Sequence, residues 1–323
     1  MSLYPLIFYP SLHYRIWGGN KLKTLGKKVS DDKIGESWEI SSVPNFISKV
    51  SNGFLKDREL TELINVYKED LVGSDVYNKF GNNFPLLIKF LDTHEPLSVQ
   101  VHPDDIYGKK HHNSWGKTEM WYVIDADKDS EIILGFEKNM TQEKFFEKLK
   151  ANDFDGVFRK VYPKKGDVFY IPAGRVHALG KGLLIAEIQQ SSDITYRIYD
   201  YDRLDKNGKK RELHIEEAKA VIDFSYIENV YSTYNPQGLN ECLVHSPYFN
   251  VNKHNIAKNY IFKDLPTSFK IFILLEGRGS MSYNQNQSIF IEKGQSILIP
   301  ACLKNIEIIS EKDSPITLLE VHL

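Results

Sequence analysis

Between Gly81-Asn82-Asn83 and Thr93 the chain runs through Phe84-Pro85-Leu86-Leu87-Ile88-Lys89-Phe90-Leu91, an apolar stretch broken once, by Lys89. A short apolar run bounded by turn residues predicts a buried strand. Similar signatures recur at 97–102 and 117–124, through the strand-rich 158–201 region, and over most of 225–323, where Gly277, Gly279, Gly294 and Pro300 punctuate the pattern. Residues 1–55 read as short strands and turns, with a turn signal at Ile16-Trp17-Gly18-Gly19 and strand alternation over 35–41. A period near 3.6 appears in only three places. Residues 56–72 carry Leu60, Leu63, Ile64, Tyr67 and Leu71 on one helical face, and 141–150 and 214–224 form two further short helices. Asp104 to Trp115, with His111 and His112, reads as a polar loop. The protein is therefore expected to be mainly β.

Residues two apart on a strand share a face. Ser98, Gln100 and His102 then point one way, and Leu97, Val99 and Val101 the other; Lys117, Glu119, Trp121 and Val123 share a face of the next strand. Histidine, glutamine, glutamate and lysine set in apolar segments suggest a site rather than a wetted surface. Lys89 lies on the face of Leu87 and Leu91. It is either an edge lysine whose head reaches water or a cation held in a cavity for an anionic ligand. Glu39 and Ser41 form the polar face of 35–41, where a solvated edge is at least as good a reading as a site.

An internal echo organises the architecture. Gly166-Asp167-Val168-Phe169-Tyr170-Ile171-Pro172-Ala173 recurs as Gly294-Gln295-Ser296-Ile297-Leu298-Ile299-Pro300-Ala301. Five residues after the proline stands His177 in the first copy and Asn305 in the second. This predicts two β-barrels with a few short helices: residues 1–225 with the site and helical insertions, and 226–323 without ligands.

Composition narrows the function. A formal charge of −2 offers no broad nucleic-acid surface, and the basic turn Lys206 to Arg211 is too short to supply one. Two cysteines, Cys242 and Cys302, imply no disulfide framework, so a reduced, cytoplasmic setting is expected. No apolar run is long enough to span a membrane, and the N-terminus does not read as a signal peptide. The sequence gives no oligomeric state.

Two histidines and one carboxylate, His102, Glu119 and His177, can hold a metal and leave positions open, as catalytic sites do. Gln100, on the face of His102, is a further oxygen donor or a ligand-binding amide. Spacing alone leaves open the alternative of buried, hydrogen-bonded histidines.

Gln100-Val101-His102-Pro103, Gly116-Lys117-Thr118-Glu119, Gly166 to Leu179 and Thr195-Tyr196-Arg197 resemble the motifs of type I mannose-6-phosphate isomerases, in their short bacterial form. Gly35 to Glu39 and Phe84 to Lys89 also look like family segments, and the likeness spans most of 5–205. The run ending at His177 is common to many cupins; the Gln-Val-His-Pro and Lys-Thr-Glu segments are more specific. The resemblance implies two cupin-type jelly-roll domains and interconversion of mannose 6-phosphate and fructose 6-phosphate through a metal-stabilised enediol. It implies one Zn²⁺ per chain held by His102, Glu119 and His177 with Gln100 as fourth ligand, and Arg197 as a catalytic residue.

Such a reaction needs a group that moves a carbon-bound proton. Lys117 is a candidate, provided burial or nearby cations lower its pKa; Glu187 is an alternative, though its strand position reads as outward-facing. Arg197 suits phosphate or enediolate, and Lys89, Ser98 and Gln100 are candidate substrate-binding residues. Two rivals remain: a non-haem iron oxygenase, which uses a similar ligand set, and a sugar-sensing cupin, for which no helix-turn-helix pattern is found.

Overall fold

The computed structural model describes residues 2–30, 33–205, 207–284 and 287–323. Lys206, part of the basic turn, lies outside them. The expected mainly β fold is found, but as paired sheets facing one another in jelly-roll fashion rather than as closed barrels. In the N-terminal half a six-stranded sheet runs in the order Ser11–Gly19, Ile34–Ile40, Leu86–Thr93, Leu183–Gln190, Glu119–Ala126, Val168–Ile171. A five-stranded sheet opposes it, in the order Tyr196–Tyr199, Val99–Val101, His177–Leu179, Ile132–Phe136, Phe158–Val161.

The Leu86–Thr93 strand is buried on both faces, and its apolar run is interrupted within only by Lys89 before Asp92 and Thr93 end it. Ile88 and Phe90 join Ala186, Ile188 and Met120 in the largest core, which continues into the C-terminal half through Phe269, Phe272 and Leu298. Leu91 turns to the other side and packs with Trp17, Trp121, Val123 and Ile185 between the two sheets. A third core lies behind the five-stranded sheet, where Val99, Val101 and Ile198 meet Phe136, Phe145 and Phe158.

The C-terminal half repeats the plan with a six-stranded and a four-stranded sheet. One edge strand of its larger sheet comes from the other end of the chain: Leu6–Ile7 pairs antiparallel with Ser296–Ile299. The internal echo is structural. Gly166 and Gly294 both adopt a left-handed backbone (φ 92° and 84°), which glycine enters without steric cost, and each leads into a strand, Val168–Ile171 and Ser296–Ile299.

Helix boundaries differ in instructive ways. The 56–72 pattern splits into Leu60–Tyr67 and Glu69–Val72 because Lys68 takes φ 48°, and Ser74–Phe80 adds a helix that its weak periodicity hid. Gln142–Lys150 is capped by the Thr141 hydroxyl, and Ile215–Val221 forms the last helix. The expected loop at 104–115 is instead a helix, Asp105–His112. Asp104 caps it by accepting the Tyr107 N–H, and Asn113 ends it in a left-handed conformation. No described helix is long and apolar enough to cross a membrane. Cys242 and Cys302 are free thiols.

Candidate active site

Strand register assembles the site on the inner face of the N-terminal sandwich. Across four neighbouring strand pairs, Trp38 opposes Lys89, Lys89 opposes Glu187, Glu187 opposes Trp121, and Trp121 opposes Phe169. One row over, Gln189 opposes Glu119. On the facing sheet His177 opposes Gln100, which opposes Arg197. A cavity of about 650 Å³ opens between the sheets, lined by Gln100, Lys117, Glu187, Lys89, Ser98 and Arg197.

His102, Glu119 and His177 offer ligand atoms that all lie within 4.8 Å of one another. Their side chains are at most 1% exposed. His102 Nε2 stands 3.5 Å from Glu119 Oε2, and His177 Nε2 3.4 Å from Oε1. Neither oxygen of this buried carboxylate is satisfied by a well-directed hydrogen bond. A buried carboxylate is costly unless cations answer it; Lys117 Nζ stands 2.9 Å from Oε2, while Oε1 faces the His177 ring. Burial, with help from Lys117, holds His102 well below the ordinary histidine range. Burial also takes His177 to about 4, against the opposing pull of the Arg175 carbonyl. The neutral imidazole is the form that ligates a metal, and burial favours it at both histidines. His177 Nδ1 is 2.8 Å from the Arg175 carbonyl, which directs Nε2 at the cluster. Gln100 Nε2 lies 3.3 Å from His177 Nε2, which places the side-chain amide beside the cluster; its ligating atom would be the oxygen Oε1. The donor set, its burial and the convergence of its ligand atoms fit a divalent metal.

Several expectations change. Lys117 precedes its strand, which begins at Glu119, yet still reaches the cluster: Nζ is 2.9 Å from His102 Nε2 and 2.9 Å from Glu119 Oε2. Burial lowers its pKa, but the charges of Glu119 and Glu187 outweigh burial and raise it. Glu187 does not face outward. It is 4% exposed, and it accepts from Lys89 Nζ at 3.1 Å and Trp121 Nε1 at 2.9 Å. Lys89 is accordingly a cavity cation and not an edge lysine; it also bonds Gln189 Oε1 at 2.8 Å and stands 5.0 Å over the Trp38 ring. Leu97 leaves the face of Val99 and Val101, because the strand begins only at Val99, and joins the inner core beside Ser98.

Glu39 is neither a solvated edge nor part of the site. It is buried in an ion pair with Lys27 at 2.7 Å and accepts from Ser37 Oγ. The residue on the cavity side is Glu36. Its carboxylate takes Arg15 through two hydrogen bonds, 2.9 and 3.0 Å, and Trp38 Nε1 at 2.6 Å. Burial works to raise its pKa, yet Lys89 and Arg15 prevail and take it down to about 2. Strand parity was the available signal: Glu36 and Trp38 share a face, and Ser37 and Glu39 the other. Arg15 and Arg211 also line the cavity unforeseen. Arg197 donates to the Glu212 carbonyl at 2.8 Å, and its buried Nε has no partner. His111 and His112 stay outside: His111 stacks on Tyr107, and His112 lies 2.6 Å from the Tyr196 hydroxyl.

Two facing-sheet domains, one with an inward His–His–carboxylate cluster beneath a charged cavity, define a metal-site cupin enzyme. The model of the phosphomannose isomerase type I catalytic domain matches residues 6–149, and that of the mannose-6-phosphate isomerase cupin domain matches 240–313. The chain belongs to the type I phosphomannose isomerase family. It is 40% identical to mannose-6-phosphate isomerase of Streptococcus mutans, over 93% of this chain and 94% of that one. Identity to mannose-6-phosphate isomerase ManA of Bacillus subtilis is also 40%, over 93% and 94%. The crystal structure of a Bacillus subtilis mannose 6-phosphate isomerase superposes with a TM-score of 0.88 at 33% identity, covering 99% of this chain and 100% of the other.

Proposed function

We propose that this protein interconverts mannose 6-phosphate and fructose 6-phosphate, with one zinc ion per chain held by His102, Glu119, His177 and Gln100. The observation that carries the reading is the joining of a buried His–His–carboxylate cluster to a cavity bearing Lys117, Glu187 and Arg197, in a chain of this family. Zinc is further supported by a fold relative, a mannose 6-phosphate isomerase at 17% identity and TM-score 0.78, whose structure has zinc and yttrium bound. Bound here, the ion would supply Lewis-acid stabilisation of the charge that develops on the enediol oxygens.

The remaining work falls to side chains. A proton must leave C2 of the open-chain aldose and arrive at C1, while another passes between the two oxygens. Lys117, beside His102 and Glu119, suits proton transfer at oxygen. Glu187, steadied by Lys89 and Trp121, suits the carbon-bound proton. Arg197 offers its planar fork to an anionic group of the substrate, beside Gln100 and Ser98. The test is a coupled assay of mannose 6-phosphate conversion with elemental analysis. We expect stoichiometric zinc, loss of turnover on exhaustive chelation, and its return on adding zinc. Full turnover in protein without metal would refute the metal assignment. No turnover in zinc-loaded protein would refute the reaction.

A further inference from the structure

The strand Tyr196–Tyr199 stands between two cavities. Arg197 lines the catalytic one, and its neighbour Ile198, on the opposite strand face, lines another of about 330 Å³. The second cavity is floored by hydrocarbon, chiefly Leu149, Phe154, Ile198, Leu213 and Ile215. Leu213 is 45% exposed, an apolar side chain left facing water. Around this floor stand four cations, Lys150, Arg203, Lys210 and Arg211, against two carboxylates. Asp200 takes both Arg203 and Arg211, and Asp202 pairs with Lys210. Lys150 has no ion-pair partner among the described residues. The lining is therefore apolar below and net positive above.

A sugar phosphate would leave most of its hydroxyls unpaired on such a floor, at a cost for each. An organic anion with a hydrocarbon body would cover the floor and meet the charge, and the volume is within the range of small-molecule sites. We propose that this cavity binds an amphipathic organic anion: a carboxylate or sulfonate carried on an aromatic or branched hydrocarbon body. Arg211 borders both cavities, so the occupant lies against the wall of the catalytic cavity without entering it.

The probe is 8-anilino-1-naphthalenesulfonate, titrated by fluorescence into this protein, first alone and then in the presence of saturating mannose 6-phosphate. We expect one saturable site per chain. Leu213→Asp and Lys150→Glu should each weaken binding by about tenfold or more, the first through the floor and the second through charge. Both positions are exposed, and unchanged circular dichroism confirms the fold of each variant; Leu213→Met should bind as the parent does. Phe290→Ser, on the distant four-stranded sheet where Phe290 is 51% exposed, should change nothing. The proposal is overturned by parental affinity in both cavity variants, by displacement of the probe with mannose 6-phosphate, or by loss of the signal in Phe290→Ser.

Discussion

His177 sits where its strand begins, with Nδ1 turned to the Arg175 carbonyl and Nε2 turned to Glu119. The ring packs edge-on to Trp121 and is surrounded by an apolar core that includes Phe169, Ile171 and Leu179. That core does not depend on a metal. His177→Ala should therefore abolish stoichiometric zinc and turnover while retaining a cooperative thermal transition. A variant with near-parental turnover would remove His177 from the ligand set. Lys117→Met tests the proton role: kcat should fall by about 10²–10⁴-fold if Lys117 moves a proton, the usual share of acid–base catalysis. If the loss falls on KM alone, Lys117 only holds the substrate. Arg197→Lys keeps the charge and loses the planar fork, so turnover should drop although net charge is unchanged. Unaltered kinetics in both variants, at confirmed metal content, would take these two residues out of the mechanism.

Among the strands, the same device serves different ends in the two halves. In the N-terminal sandwich, Lys89 and Glu187 face one another across adjacent strands inside a working cavity. In the C-terminal half, Glu320 is buried between Lys270, to which it is hydrogen bonded, and His254 Nε2 at 2.9 Å. No described cluster of metal-binding side chains lies there, and Asn305 stands where the echo places His177. Burial raises the Glu320 pKa, but hydrogen bonding from His254 and the charge of Lys270 outweigh it and bring the group down from its usual 4.5 to about 2. A depressed carboxylate contributes stability that is present above pH 4.5 and lost as pH falls toward 2, about 3 kcal/mol for a shift of this size. Denaturant unfolding between pH 6 and 2 should show that loss, and Glu320→Gln should flatten it. Because the substitution strands Lys270, it should also cost about 3–5 kcal/mol at pH 7. An identical pH slope in parent and variant would show that Glu320 does not set the acid sensitivity.

Across the whole molecule, one apolar core ties the halves together. It runs from Leu6 and Phe8 through the outer face of the N-terminal six-stranded sheet to Phe269, Phe272 and Leu298. Leu6 is fully buried and pairs with Leu298 in the C-terminal sheet. Leu6→Ala should cost about 2–5 kcal/mol, the range for a buried leucine, although it lies far from the site. Calorimetry should show one transition shifted down as a unit; two separate transitions would mean that the halves unfold independently.

Strand parity and apolar runs are local properties, and they carried the mainly β fold, the inward set Lys117, Glu119 and Trp121, and the turn–strand echo at Gly166 and Gly294. They made His102 and His177 candidates, but spacing alone left buried, hydrogen-bonded histidines equally open, and the family motifs supplied the ligand assignment. Other features depended on which strands become neighbours. Glu187 looks like an ordinary outward glutamate until Lys89 and Trp121 are brought to it from two adjoining strands. Glu36 and Glu39 differ in sequence by three positions and in role entirely, since only the packing says which face of Ile34–Ile40 meets the cavity and which meets Lys27. The pKa of Lys117 follows the same rule: burial alone would lower it, and the carboxylates placed around it by tertiary contact raise it. The sequence by itself determined the faces, turns and donor types, because those rest on backbone geometry and side-chain chemistry. Which faces are joined, and so which charges meet, was decided only when the sheets closed over a common interior.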